Sequence, residues 1–95
     1  MTINQLYIKF RNEPPDRTLA KDLVLPVKVT YVPQEPLQGK YIILEDDTGK
    51  LEAVASTKNI FNILRSKIGY VINIKGRLDK TEFGNIAFEI EEIIS

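Results

Sequence analysis

Two stretches of period-two alternation flank a single helical stretch in residues 41–95, and this order restricts the chain to very few folds. Residues 41–56, YIILEDDTGKLEAVAS, read as a strand hairpin. Ile42 and Leu44 share its inner face, and Tyr41, Ile43 and Glu45 its outer face. On the return, Leu51, Ala53 and Ala55 point inward, and Lys50, Glu52 and Val54 outward. Asp46 and Asp47 favour turn geometry, and Gly49 is expected to supply a positive φ. Residues 57–69, TKNIFNILRSKIG, predict a helix. Ser56 or Thr57 is its N-cap, Ile60, Phe61, Ile63, Leu64 and Ile68 make its apolar stripe, and Gly69 is its C-terminal cap. Residues 70–78 form a fourth strand with Ile72, Ile74 and Leu78 inward and Val71, Asn73, Lys75 and Arg77 outward. The loop DKTEFGN leads into a last strand, 86–94, with Ile86, Phe88 and Ile90 on one face.

Upstream, residues 23–32, LVLPVKVTYV, supply the first strand of this set. Leu25, Val27, Val29 and Tyr31 share one parity, which makes Tyr31 core or core edge. Pro26 cannot donate to a ladder and marks an edge or a bulge. Residues 33–39 connect to the hairpin. Further upstream, residues 5–11, QLYIKFR, alternate with period two, Leu6, Ile8 and Phe10 on one side and Tyr7, Lys9 and Arg11 on the other. This predicts a short strand, either packed on the rest of the chain or free to pair with a partner by strand addition. Residues 12–18, with two consecutive prolines, are a connector. The organisation expected is an N-terminal arm over 1–20 and one domain over 21–95. Strand, hairpin, helix, hairpin is the order of the five-stranded Greek-key OB-fold barrel. The fold class is therefore all-β with one helix, plus an extra N-terminal strand or arm.

Composition narrows the chemistry. Ninety-five residues suit one small domain. The absence of cysteine and histidine removes a disulfide framework, a thiol nucleophile and the commonest general base and metal ligand. Asp46 and Asp47 lack further acids at calcium-loop spacing, and turn chemistry explains them. No cofactor, no metal and no catalytic constellation is expected. The N-terminus is polar and no apolar run approaches about 20 residues, so a cytoplasmic location is expected. Thirteen basic and thirteen acidic residues cancel, which argues against a chain driven onto nucleic acid by net charge alone.

The string LEDDTGKLEA, followed by a helix and GYVINIKGRL, resembles OB-folds of the replication protein A middle-subunit and tRNA-anticodon-binding type. The matching residues are Asp46, Asp47, Thr48 and Gly49 in the turn, then Gly69, Ile72, Gly76 and Arg77. Small archaeal replication accessory proteins are similar in size and style. The resemblance implies single-stranded DNA or RNA binding, or a subunit role in replication, repair or telomere-type assemblies. Members that bind usually offer several rings on the outer face of strands two and three. Here that face offers Tyr41 with Ile43, Val54, Lys50, Glu45 and Glu52.

Two functions follow as expectations. A nucleic-acid site would use Tyr41 and Phe83 for stacking and Lys28, Lys40, Lys50, Lys75, Arg77 and Lys80 for phosphates. Phe83 either stacks or folds back over the barrel mouth; Tyr41 either stacks or packs against the arm. A protein-interaction site would use Leu6, Ile8 and Phe10 of the arm and the acidic strip Glu89, Glu91 and Glu92. The chain reads as an accessory OB-fold subunit with weak single-strand contact. Its partner would be a larger replication or repair protein such as a polymerase or a single-strand-binding complex. The alternative is a self-sufficient single-strand binder.

Overall fold

A computed structural model describes residues 1–37 and 39–94. Their elements are α1 (Ile3–Phe10), β1 (Arg17–Tyr31), β2 (Ile42–Asp46), β3 (Gly49–Ala55), α2 (Lys58–Arg65), β4 (Val71–Lys80) and β5 (Ile86–Ile93). The strands close into a barrel in the order β1-β2-β3-β5-β4. Neighbours are antiparallel except β3 and β5, which run parallel. This is the OB-fold-like barrel that the strand order predicts, with two helices where one was expected.

Closure depends on β1. It pairs with β4 from Arg17 to Lys28 and with β2 from Lys28 to Tyr31. Pro26 sits opposite Asn73 of β4, before the ladder with β2 begins, where a missing donor does least harm. A bulge between Val29 and Tyr31 then shifts the register. The Thr30 hydroxyl bridges it by donating to the Ile43 carbonyl at 3.1 Å. The bulge inverts the parity on which the core assignment of Tyr31 rested. Tyr31 is 53% exposed, and Val32 is buried in its place.

The inward faces of β2–β5 follow the alternation. Ile42, Leu44, Leu51, Ala53, Ile72, Ile74, Leu78, Ile86, Phe88 and Ile90 are all buried. Gly49 does not take a positive φ; its place is the first rung of β3, opposite Asp46. Gly69 does, at +90°. Gly76 serves a packing need, because a methyl group there would overlap the Glu89 carbonyl oxygen and approach Phe88 Cε1 at 2.9 Å.

A helix closes each end. Thr57 caps α2 by accepting from the Ile60 N–H, and Phe61 and Leu64 enter the core. Ile63 and Ile68 remain exposed, so the stripe is narrower than its spacing suggests. At the other end, residues 3–10 form α1 rather than a strand. Ile3, Leu6, Tyr7 and Phe10 stand at i, i+3, i+4 and i+7, a helical stripe that outcompetes the period-two pattern once Ile3 is counted. Thr2 and Gln5 complete a reciprocal capping box. Ile3 and Leu6 are fully buried, and Tyr7 and Phe10 pack against the core. The arm therefore belongs to the barrel, and β1 already begins at Arg17, inside the segment expected as arm.

Leu6→Ala should lower the unfolding free energy by about 2–5 kcal/mol, since it removes methyl groups from a filled barrel end. Gly76→Ala should cost at least as much, through overlap with backbone. Ile8→Ala, on the exposed side of the same helix, should stay within about 0.5 kcal/mol. Urea denaturation of the three variants checks the ranking; a neutral Leu6→Ala would mean that α1 does not seal the barrel.

Candidate nucleic-acid interface

The register arranges the outer surface of β1–β3 in rows. Lys28, Glu45 and Lys50 form one, with the carboxylate flanked by two ammonium groups. Tyr31, Ile43 and Glu52 form the next. Tyr41 immediately precedes β2 and is half-buried. Beyond it, Val54 is 39% exposed. The bulge thus adds a second ring, Tyr31, to a face where the alternation placed Tyr41 alone. Phase-shifting by a bulge leaves no signal in a period-two reading, so Tyr31 was not legible as a surface residue. Beside this face, Pro36, Leu37, Lys40, Ala53, Val54 and Phe61 line a cleft of about 210 Å³. In the loop 33–39, Gln38 lies outside the described residues.

The expected phosphate contacts divide. Lys28, Lys40 and Lys50 are exposed; Lys40 adjoins Tyr41, Lys28 lies on β1 three residues before Tyr31, and Lys50 stands at the turn end of β3, where its carbonyl accepts from the Tyr7 hydroxyl. Lys75 is half-buried on β4, opposite Val24 and Glu92. Arg77 is held by Asp79 at 3.0 Å and by Glu89 at 2.6 Å. The hydrogen bond to Asp79, with the charges of Asp79 and Glu89, raises its pKa further. Lys80 is buried; it donates to the Arg11 carbonyl at 2.6 Å and the Phe10 carbonyl at 3.5 Å. A cation on the last carbonyls of α1 satisfies orphan acceptors, and this contact turns Lys80 away from any external phosphate.

The expected protein contacts also divide. Leu6 is fully buried and Phe10 half-buried on the chain's own core, while Ile8 is 55% exposed. Glu89 is engaged by Arg77, and Glu91 and Glu92 are exposed. Tyr41 lies at the opposite end of β2 from the anchors of α1, so packing against the arm does not account for it. Phe83 does not fold back: α1 fills the barrel end, and the ring is 83% exposed. Its loop is tied by Thr81 N–H to the Asn85 carbonyl, Gly84 N–H to the Thr81 carbonyl, and Asn85 N–H to the Thr81 hydroxyl.

The acidic turn has a structural task. One Asp46 oxygen accepts from the Ile3 N–H at 2.8 Å; the other accepts from the Thr48 N–H, the Thr48 hydroxyl and the Gly49 N–H. The Asn4 N–H donates to the Thr48 oxygen at 3.0 Å. Orphan donors of α1 are thereby satisfied by the β2–β3 turn, and Tyr7 adds a bond from its hydroxyl to the Lys50 carbonyl. Burial, then the nearby Glu52 carboxylate, raises the Tyr7 pKa. For Asp46, partial desolvation pushes upward, but the hydrogen bonds from Thr48, Ile3 and Gly49 outweigh it and hold the carboxyl below its ordinary value.

Among the described residues no cluster of three or more His, Cys, Asp or Glu is arranged to hold a metal ion. Among the same described residues no helix is long and apolar enough to cross a membrane. No protein-family model matches the chain, and no curated protein matches it in sequence.

The lowered pKa of Asp46 gives a signed pH dependence. Its contribution to stability is present above the unfolded value, about 4, and is lost as pH falls through the lower folded value. Asp46→Asn should therefore be less stable at neutral pH and lose less on acidification. Urea midpoints between about pH 2 and pH 6 measure the difference; parallel curves for the two proteins would remove Asp46 as the acid-sensitive tie.

Proposed function

We propose that this chain is an OB-fold accessory module of a nucleic-acid-handling assembly of replication or repair type. It contacts single-stranded nucleic acid weakly by itself, through the outer face around β2. The observation that carries the reading is the bulge at Val29–Tyr31, which turns Tyr31 outward directly opposite Ile43, on the side that also carries Tyr41. Every base has a π-face, so two rings flanking an apolar side chain make a sequence-tolerant platform, each stacked base contributing about 1–3 kcal/mol. Lys28 and Lys40 lie near the rings in the chain, and Lys50 extends the same face toward the β2–β3 turn, as phosphate contacts.

Weak affinity and a partner follow from the charges. Glu45 and Glu52 share the face with the lysines, and the chain as a whole is neutral. With few phosphates neutralised, little counterion release is available to drive binding. A larger protein holding the strand nearby raises its effective concentration at this face. With α1 folded onto the barrel, the exposed Glu91 and Glu92 at the end of β5 remain as the acidic surface for a basic partner.

Fluorescence anisotropy of labelled oligo-dT measures this directly. Binding should be detectable at low salt and fade near physiological salt. Tyr31→Ala should weaken it roughly 5- to 100-fold, the equivalent of one lost stacked base. Sub-micromolar binding that persists at physiological salt would instead make the chain a self-sufficient single-strand binder. No binding at low salt would overturn the nucleic-acid reading.

A further inference from the structure

We infer that the bound strand leaves the β2 face over β1 and onto the α2–β4 segment, with Tyr70 as a third stacking ring, rather than crossing β3 toward Phe83. This rests on the single-strand reading above and specifies the route taken. The first support is charge. Residues 53–78 contain five basic side chains, Lys58, Arg65, Lys67, Lys75 and Arg77, and no Asp or Glu. The other residues of this neutral chain therefore carry a net charge of −5. Within this run Lys58, Arg65 and Lys67 stand on α2 and the turn after it, with Arg65 donating to the Pro33 carbonyl, whereas Arg77 of β4 is held by Asp79 and Glu89 and Lys75 lies opposite Glu92.

The second support is where the apolar surface stands. Tyr70 is 64% exposed, Val71 73% and Ile68 44%, in one short run that enters β4. The run is fixed against β1. The Gly69 N–H donates to the Val29 carbonyl at 2.7 Å, and the Val29 N–H donates to the Tyr70 carbonyl at 3.1 Å. Tyr70 is thus bonded to the residue two positions before Tyr31. Gly69, at φ +90°, makes the turn, a conformation that L side chains rarely adopt. Lys28 stands opposite Val71 in the ladder. A ring held by backbone bonds loses little freedom when a base stacks on it.

The third support is what the other route meets. From Tyr31 the register leads through Ile43 to Glu52, then Ala87 and Asp79. The neighbouring row leads through Val54 to Glu89 and Arg77, whose guanidinium is already taken by Asp79 and Glu89. At the loop itself Glu82 adjoins Phe83, and Asp16 is bonded through its N–H to the Thr81 carbonyl. Arg17 lies nearby, with Glu13 at 3.9 Å. A phosphodiester crossing this way meets the carboxylates of Glu52, Glu89, Asp79 and Glu82. The route over β1 also passes carboxylates, since Glu45, Asp46 and Asp47 line one groove together with Lys28 and Val71.

The test uses the full chain and labelled oligo-dT of about 16 nucleotides, the upper end of an OB-fold site. Tyr70→Ala should weaken binding at least about fivefold. Lys67→Ala should reduce the slope of log affinity against log salt by about one. Phe83→Ala should leave affinity within about twofold. All three residues lie outside the buried core, so the variants retain the fold. If the wild-type chain binds and the Tyr31 variant is impaired, but Tyr70→Ala is silent, the route is overturned while the single-strand reading stands. A loss at Phe83 in place of Tyr70 overturns it likewise. A wild-type chain that does not bind overturns both.

Discussion

The strand β1 serves two sides of one barrel, and the rest of the structure depends on how it does so. A five-stranded sheet closes only if one strand passes from one neighbour to another, and here the handover occurs at Lys28, which is paired to both Val71 and Glu45. Strand β1 must curve sharply just beyond. The register shift at Val29–Tyr31 supplies the bend, and Thr30 repairs the interrupted ladder with its side chain. A bulge costs regular backbone pairing, so a hydroxyl that reaches the facing carbonyl at this spot recovers part of what the bend gives up. The same bend determines which side of the sheet Tyr31 occupies. Closure and surface chemistry thus share one cause, and straightening β1 would return Tyr31 to the interior.

Closure leaves two open ends, and the sequence meets them differently. Helix α2 lies between β3 and β4 and closes its end as part of the connection. Helix α1 comes from outside the five strands and needs its own attachments. It has Ile3 and Leu6 in the core, the Asp46 and Thr48 acceptors at its N-terminus, and the Lys80 ammonium at its C-terminus. An anion at the positive end of a helix and a cation at the negative end both act with the helix dipole. A domain this small buries a modest fraction of its surface, and a helix that seals an apolar mouth extends its core considerably. That explains why Asp46 and Lys80, which look like surface charges in the sequence, are spent on the interior architecture.

The inner faces of β2 to β5 were legible because the alternation holds through their core stretches; at 42–44, 51–53 and 86–90 it reads directly as core, and the register shift against β4 falls beyond Ile90 of β5. Two features escaped for physical reasons. Phase is lost at a bulge, which hid Tyr31. In an eight-residue helix, periods of two and 3.6 both fit a few apolar residues, which made QLYIKFR look like a strand. The decisive cue was short-range chemistry: Thr2 and Gln5 at capping-box spacing, with Thr2 immediately before the apolar stripe begins at Ile3. At the candidate site, Lys28 and Lys50 stand on the surface as their parity suggests, and Lys40 is exposed just before β2. Lys80 could not be told from them, because its burial depends on a helix contributed from the other end of the chain.

Net charge is the least informative quantity here, and the reason is spatial. Thirteen positive and thirteen negative groups sum to zero at distances much longer than the molecule. A nucleic-acid backbone, however, responds to charges within about 10 Å at ordinary ionic strength. At that range Lys58, Arg65 and Lys67 of α2 and the turn after it make a basic stretch of their own, while Lys75 and Arg77 of β4 stand among the carboxylates of Asp79, Glu89 and Glu92. Such a division lets a small barrel repel a strand from one flank and accept it on another, which orients the strand without requiring high affinity. High affinity would need more phosphate contacts than this surface offers. A module that orients a strand it does not hold tightly is useful only where something else does the holding, and that is the physical case for an accessory role.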